Sequence, residues 1–195
     1  MILGITGGTG CGKSTFLDVI REQGGVVLDC DKIYHELLQT DPALLSAINK
    51  QFPGTVANGK LQRKALGEIV FTDPEALKKL NALTHDAVKQ AVIRRLTPTP
   101  KLAAIDAIGL FESGISELCQ LTVAISAPEE IRMNRLIARD NISAEYALNR
   151  IRAQRSCEEF EALCDHVLEN SGSEDAFREK CLAFLQEQGI IKEKP

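Results

Sequence analysis

The eight residues Gly7-Gly8-Thr9-Gly10-Cys11-Gly12-Lys13-Ser14 constrain this chain more than any other stretch. They satisfy the pattern Gly-x-x-x-x-Gly-Lys-Ser/Thr. In it, glycines let backbone N–H groups turn inward around phosphate oxygens that a side chain would keep out. Such a loop belongs between a strand and a helix, and both flanks fit. Ile2–Thr6 reads as a short apolar strand, and Phe16, Leu17, Val19 and Ile20 give the following segment an apolar helical face. Lys13 can reach the β- and γ-phosphates, and the Ser14 hydroxyl suits Mg²⁺. Gly8, Thr9, Gly10, Cys11, Gly12, Lys13, Ser14 and Thr15 are therefore the expected contacts of a nucleoside triphosphate. A thiol at a helix start near phosphate can gain reactivity. The preferred reading of Cys11 is nevertheless a small residue that fits the loop.

The rest of the chain continues the alternation. Strands are expected at Ile2–Thr6, Val26–Asp29, 102–108, Leu121–Ser126 and His166–Glu169, each short and apolar as in a parallel sheet covered on both faces. Asp41-Pro42, Asp73-Pro74-Glu75 and Pro128-Glu129-Glu130 open helices, Gly24-Gly25 closes the first, and Ser173 starts the last. From Asp73 an apolar stripe of Leu77, Leu80, Leu83, Ala87, Ala91 and Val92 is expected to run to about Leu96. The second and third strands are separated by far more chain than the ten to fifteen residues or so of a simple crossover, so a helical insertion is expected there.

The 195 residues fit one domain with an insertion. A net charge of −4 argues against a nucleic-acid binder and leaves room for a small anion held by a local basic cluster. No apolar run is long enough for a membrane span, and the start lacks the basic and apolar regions of a signal peptide. Six cysteines without a Cys-x-x-Cys pair, and only three histidines, build no zinc site and read as reduced thiols of a cytoplasmic protein.

Two further groups carry chemistry. Asp29-Cys30-Asp31 ends the second strand, on the side of an open sheet where ligands gather. One carboxylate there can orient an acceptor hydroxyl and take its proton, while the other caps the next helix; Asp31 is favoured as the working group. Arg132, Arg135 and Arg139 share one helix face, and Arg150, Arg152 and Arg155 follow a polar break at 140–143. Two arginine-rich helices joined by such a turn suit a lid over a triphosphate.

In this order, the motifs resemble the dephospho-coenzyme A kinases over nearly the whole chain. The resemblance runs from Gly4-Ile5-Thr6 through the phosphate loop to Asp29-Cys30-Asp31, Gln62-Arg63-Lys64-Ala65-Leu66 and Val70-Phe71. It continues through Asp106-Ala107-Ile108-Gly109-Leu110-Phe111-Glu112, Arg135-Leu136-x-x-Arg139, Arg150-Ile151-x-x-Gln154 and Asp165-x-Val167-Leu168-x-Asn170-x-Gly172. It implies an α/β P-loop kinase fold, with a five-stranded parallel sheet flanked by helices, a helical substrate-binding insertion and a short helical lid. The core is then about 1–31 and 98–195, the insertion about 32–97 and the lid about 137–155.

The implied reaction moves the γ-phosphate of ATP, with Mg²⁺, to the ribose 3′-hydroxyl of dephospho-coenzyme A. Asp31, Lys13 and Arg139 are the implied catalytic residues. Asn170 and Gly172 join the loop at ATP, Ser14 holds the metal, and Thr6, Asp31, Arg63, His85, Asp106 and Glu112 meet the acceptor. The chain departs from the family at His85-Asp86, where His-Pro is frequent, at Ile108-Gly109 in place of Pro-Leu, and at Arg132 in place of glutamine. The partner is thus a small molecule, with neither nucleic acid nor membrane, and the protein is a monomer or small homo-oligomer. The rival reading is another small-molecule P-loop kinase with a nucleoside or sugar-acid acceptor. A GTPase switch would carry an Asn-Lys-x-Asp string, which this sequence lacks.

Overall fold

The computed structural model describes residues 1–192. The chain opens with β1 (Ile2–Thr6), α1 (Lys13–Glu22), β2 (Val26–Asp29), α2 (Cys30–Thr40) and α3 (Pro42–Gln51). A small hairpin of β3 (Val56–Ala57) and β4 (Lys60–Leu61) precedes α4 (Arg63–Val70) and the long α5 (Pro74–Arg95). Then come β5 (Ala103–Asp106), β6 (Leu121–Ser126), α6 (Glu129–Asp140), α7 (Ala144–Arg152), α8 (Cys157–Leu163), β7 (His166–Glu169) and α9 (Glu174–Glu187). They form two compact units, one of residues 1–28 with those from 99 onward, the other of residues 29–98.

The first unit is built on a five-stranded parallel sheet in the order β2-β5-β1-β6-β7. β1 is central and buried along its whole length, with Leu3 in register with Ala104 on one side and Leu121 on the other. A strand with neighbours on both edges and helices on its faces has no polar side to show, hence the unbroken Ile-Leu-Gly-Ile-Thr run. Phe16, Val19 and Ile20 of α1 join Cys181 and Leu185 of α9 in one apolar cluster, and Phe16 meets Phe184 edge-on at 5.9 Å. α6 and α7 hold a separate small cluster of Leu136, Ala147 and Ile151.

β5 is shorter than the expected 102–108. Past Asp106 the chain leaves the sheet, and the Ser113 N–H closes a helical turn on the Gly109 carbonyl at 3.1 Å. Glycine, poor at holding an extended strand, permits that turn.

In the second unit α5 packs against α2, α3 and α4. Its Asp73 cap accepts from the Glu75 N–H at 2.9 Å, and Pro74 occupies the first helical position, as the sequence requires. The buried face is Ala76, Leu80, Thr84, Val88, Ala91 and Val92. Leu77, expected in the stripe, is exposed, and Leu83 and Ala87 are only half-buried. The face advances by four residues per turn, and Thr84 is admitted because its hydroxyl returns to the Leu80 carbonyl at 3.0 Å.

Beyond the expected elements, the chain forms a short hairpin and the helix α8. The β3–β4 hairpin turns at Asn58 (φ +52°) and Gly59 (φ +70°), the Asn-Gly pair that a two-residue turn with two positive φ angles favours. α8 starts from a capping box between Ser156 and Glu159. Among the described residues no helix is long and apolar enough to cross a membrane.

Candidate active site

The loop between β1 and α1 meets its helix at Gly12, whose φ of +93° only glycine adopts freely. A Cβ there would also run into the Asn170 side-chain amide. Side-chain caps from Asp29, Asp41, Asp73, Ser143, Ser156 and Ser173 close the starts of α2, α3, α5, α7, α8 and α9. α1 has no such cap and no acidic residue in its first turn. Its leading N–H groups and the positive end of its dipole suit an anion.

These groups border a cavity of about 750 Å³. Gly8, Thr9, Gly10, Gly12, Lys13, Ser14 and Thr15 line it from the loop, together with Asp106, Arg139, Asn170 and Gly172. The Lys13 ammonium donates to the Gly7 carbonyl at 2.7 Å, which parks the charge at the loop. Ser14 is exposed in the first turn of α1. Its hydroxyl and the Asp106 carboxylate are hard oxygen donors, the kind Mg²⁺ takes in ones and twos beside phosphate and water. Among the described residues no cluster of three or more His, Cys, Asp or Glu could hold a metal.

The loop's shape is held from beneath. Thr9 N–H donates to Gln154 Oε1 at 2.7 Å, and Arg132 Nε donates to the Thr9 carbonyl at 2.9 Å. Arg135 Nη1 reaches the Gly10 carbonyl at 3.3 Å, while its Nη2 donates to Asn170 Oδ1 at 3.0 Å. Asn170 Nδ2 in turn donates to the Cys11 carbonyl at 2.9 Å. Arg132, Arg135 and Arg139 thus share a helix but not a task. Arg132 is buried under the loop, Arg135 is half-buried beside it, and Arg139 is exposed with two bonds to Asp140 at 2.7 and 2.9 Å. Arg150 adds a third bond to Asp140 at 2.6 Å, and the two guanidinium groups hold that carboxyl far below the usual range.

Arg135 and Gln154 receive no individual role from sequence. The spacing of Arg135 between Arg132 and Arg139 places it on the right face, but only the fold brings it to the loop carbonyls. Cys11 lies fully buried and does not line the cavity, so it sits in the loop as a small side chain turned inward. The neighbouring Cys157 thiol and its burial push its thiol pKa up. All six cysteines are free thiols.

The acceptor candidates lie in several places. Thr6 is fully buried at the end of β1, with Oγ1 donating to the Ile108 carbonyl at 3.4 Å. Glu112 pairs with Arg155 at 2.5 Å. Asp29 caps α2 by accepting from the Lys32 N–H at 3.0 Å, which leaves Asp31 exposed in the first turn. The backbone N–H and side chain of Lys32 lower the Asp29 carboxyl pKa, against burial, which alone would raise it. Arg63 is exposed at the start of α4, and His85 is half-buried in the middle of α5.

A parallel sheet whose central strand ends in a phosphate loop, an uncapped helix behind it, and a lysine and an arginine on one cavity define a P-loop phosphotransferase, an enzyme that uses ATP on a small molecule. The family model for dephospho-CoA kinases matches residues 1–175. A dephospho-CoA kinase of Anaeromyxobacter dehalogenans is 35% identical over 190 residues, covering 94% of this chain and 90% of the relative. A crystal structure from Thermus thermophilus superposes with a TM-score of 0.79 at 36% identity, covering 96% and 97% of the two chains. The dephospho-CoA kinase from Campylobacter jejuni gives a TM-score of 0.69 at 29% identity over 97% and 98%. The chain belongs to the dephospho-CoA kinase family.

Proposed function

We propose that the protein transfers the γ-phosphate of ATP to the ribose 3′-hydroxyl of dephospho-coenzyme A, giving coenzyme A and ADP. The observation that carries this reading is the uncapped start of α1 facing a cavity that also holds Lys13 and Arg139, in a chain of this family. A site with backbone donors and two side-chain cations is suited to phosphate that changes charge as it transfers.

Gly8, Thr9, Gly10, Cys11, Gly12, Ser14 and Thr15 supply the loop around the phosphates. Asn170 and Gly172 border the nucleotide. Lys13 leaves the Gly7 carbonyl for the phosphates, and Arg139 leaves Asp140 to neutralise charge on the transferring group. Asp31 orients the acceptor hydroxyl and accepts its proton. Ser14 would hold Mg²⁺ with the phosphates, and that ion would supply charge neutralisation during the transfer.

Residues of about 32–97, including Arg63 and His85, form the acceptor insertion on this reading, with Thr6, Asp106 and Glu112 contributing from the core of about 1–31 and 98–195. Residues of about 137–155 act as the lid that excludes water from the transfer. The protein works in the cytoplasm as a monomer or small homo-oligomer, a reading supported by its six free thiols and its use of ATP.

The test is an ADP-release assay with Mg·ATP, comparing dephospho-coenzyme A with a panel of nucleosides and sugar acids, with the product weighed by mass spectrometry. One added phosphate on dephospho-coenzyme A alone is expected. Turnover of a different acceptor overturns the substrate but keeps the kinase. ADP release without any acceptor overturns both.

A further inference from the structure

Arg132 of α6 is only 3% exposed, and its guanidinium lies against the back of the phosphate loop. Nε donates to the Thr9 carbonyl at 2.9 Å, and a Cβ on Gly8 would overlap Nη2 and Cζ. A Cβ on Gly10 would stand 2.8 Å from the Arg132 carbonyl. Gly8, Thr9 and Gly10 line the first cavity, whereas Arg132 borders a second one, of about 640 Å³. The loop backbone therefore stands between this cation and the first cavity.

A guanidinium is not deprotonated in proteins, so burial leaves Arg132 charged. Buried charges are ordinarily paired. Here Nη1 donates to the Cys157 thiol at 3.3 Å, and that thiol donates in turn to the Ala127 carbonyl at 3.5 Å. Nη2 is buried with no hydrogen-bond partner. Two carboxylates that border the second cavity are engaged elsewhere, Glu129 with Arg152 at 3.5 Å and Glu159 with the Ser156 N–H at 2.7 Å. A cation held in this way costs the ligand-free fold stability, and negative charge across the loop would compensate it.

We propose that Arg132 is a positioning residue for polyphosphate: it fixes a positive charge behind the loop that strengthens binding the more negative the phosphate group in front. The inference rests on the kinase reading of the first cavity. Two effects combine. The Thr9–Gly10 peptide is trans, so a Thr9 carbonyl drawn onto Nε turns the Gly10 N–H away from the guanidinium. The charge also acts through buried backbone, where salt and water screen it less than at the surface. Arg132 does not border the first cavity, so it works through the loop and does not touch the reacting atoms.

Two substitutions separate charge from shape. Arg132→Gln keeps a donor for the Thr9 carbonyl and removes the charge, whereas Arg132→Lys keeps the charge. A fluorescent ATP analogue is titrated into the full chain and displaced with ATP, ADP and AMP, and the ligand-free proteins are melted. In Arg132→Gln the affinity is expected to fall about tenfold for ATP, less for ADP and within about twofold for AMP. Its ligand-free Tm holds or rises, because an unpaired buried charge is gone. Arg132→Lys stays within about threefold of the parent for ATP. An arginine with a merely structural role would give neither the graded loss nor the retained Tm. Equal losses for all three nucleotides, or in both variants, overturn the role of charge. A Gln variant that melts well below the parent, or fails to fold, makes Arg132 a structural residue and overturns the proposal. Unchanged ATP affinity in that variant overturns this inference alone. Failure of the kinase reading shows separately, as a parent that binds ATP no more tightly than AMP, and overturns both.

Discussion

Asn170, one residue beyond β7, donates its side-chain amide to the backbone carbonyl of Cys11, 159 positions earlier in the chain, at 2.9 Å. Its other end accepts from Arg135 at 3.0 Å, so one buried side chain clamps the loop and orients a guanidinium together. Asn170→Ala removes one partner each from the carbonyl and from the guanidinium, whose remaining bonds to one another and to Gly10 are long at 3.5 and 3.3 Å, and a lost hydrogen bond to a charged group costs about 1.5–3 kcal/mol. The expected outcome is ATP affinity weakened about tenfold with a lowered Tm, read by calorimetry and thermal melts. Unchanged affinity would mean the loop keeps its shape without the clamp.

Gly12→Ala is expected to be harsher for nucleotide than for folding. The φ of +93° strains any side chain, and a Cβ meets the Asn170 amide. Titration with an ATP analogue should show binding lost, while circular dichroism retains the helical signal. A variant that binds within a few-fold of the parent would show that the helix start can open elsewhere.

Asp31→Asn separates chemistry from binding. Asp29 already serves as the cap of α2, so the substitution leaves that helix its start. ATP affinity should stay nearly unchanged while kcat for dephospho-coenzyme A falls by about two orders of magnitude or more, as when a general base is removed. Turnover within a few-fold would transfer the role to a different carboxylate, with Asp106 the next to replace.

Arg139→Lys keeps the charge and loses the fork that binds Asp140 through two nitrogens. Arg139 is exposed, so Tm should hold while kcat drops about tenfold or more. Loss of stability in place of rate would recast Arg139 as a packing residue of α6.

Asp165 supplies a pH prediction. Its Oδ2 accepts from the Thr122 hydroxyl at 2.7 Å and the Thr122 N–H at 2.8 Å, and these bonds lower its pKa. A carboxyl whose folded pKa lies below the unfolded value near 3.8 stabilises the fold above that pH. The contribution is lost as pH falls through the lower folded value. Asp165 is exposed and solvent screens its charge, so Asp165→Ala should lower Tm only modestly at neutral pH, and the gap from the parent should narrow below about pH 4. A gap that is constant down to pH 2 would assign the effect to packing alone.

The strand–loop–helix start, the five strands and most helix caps were legible because each rests on local chemistry: apolar runs, Asp-Pro pairs, Gly-Gly. The hairpin at Asn58-Gly59 and the Ser156–Glu159 capping box carry equally local signals. The shifted face of α5 is different in kind. Leu77 and Ala76 are neighbours, and which of them is buried depends on how α2, α3 and α4 pack against the helix. The same holds at the site. The loop residues and Arg139 could be named from sequence, whereas the support from Arg132, Arg135 and Gln154 joins residues more than a hundred positions apart in the chain.

That separation governs when the loop can take shape as the chain is made. β1 emerges first, yet its partners begin at Ala103 and Leu121, and the Asn170 clamp comes later still. Long-range pairings of this kind form slowly, because the intervening chain must be ordered before they are rewarded. A nascent chain arrested before Asn170 therefore carries the whole Gly7–Ser14 motif without the means to hold it. Ribosome-stalled fragments ending near residue 160 should retain no ATP analogue, whereas chains released at full length should. In this protein, competence for nucleotide is a property acquired only once Asn170 has been made, long after the loop that confers it.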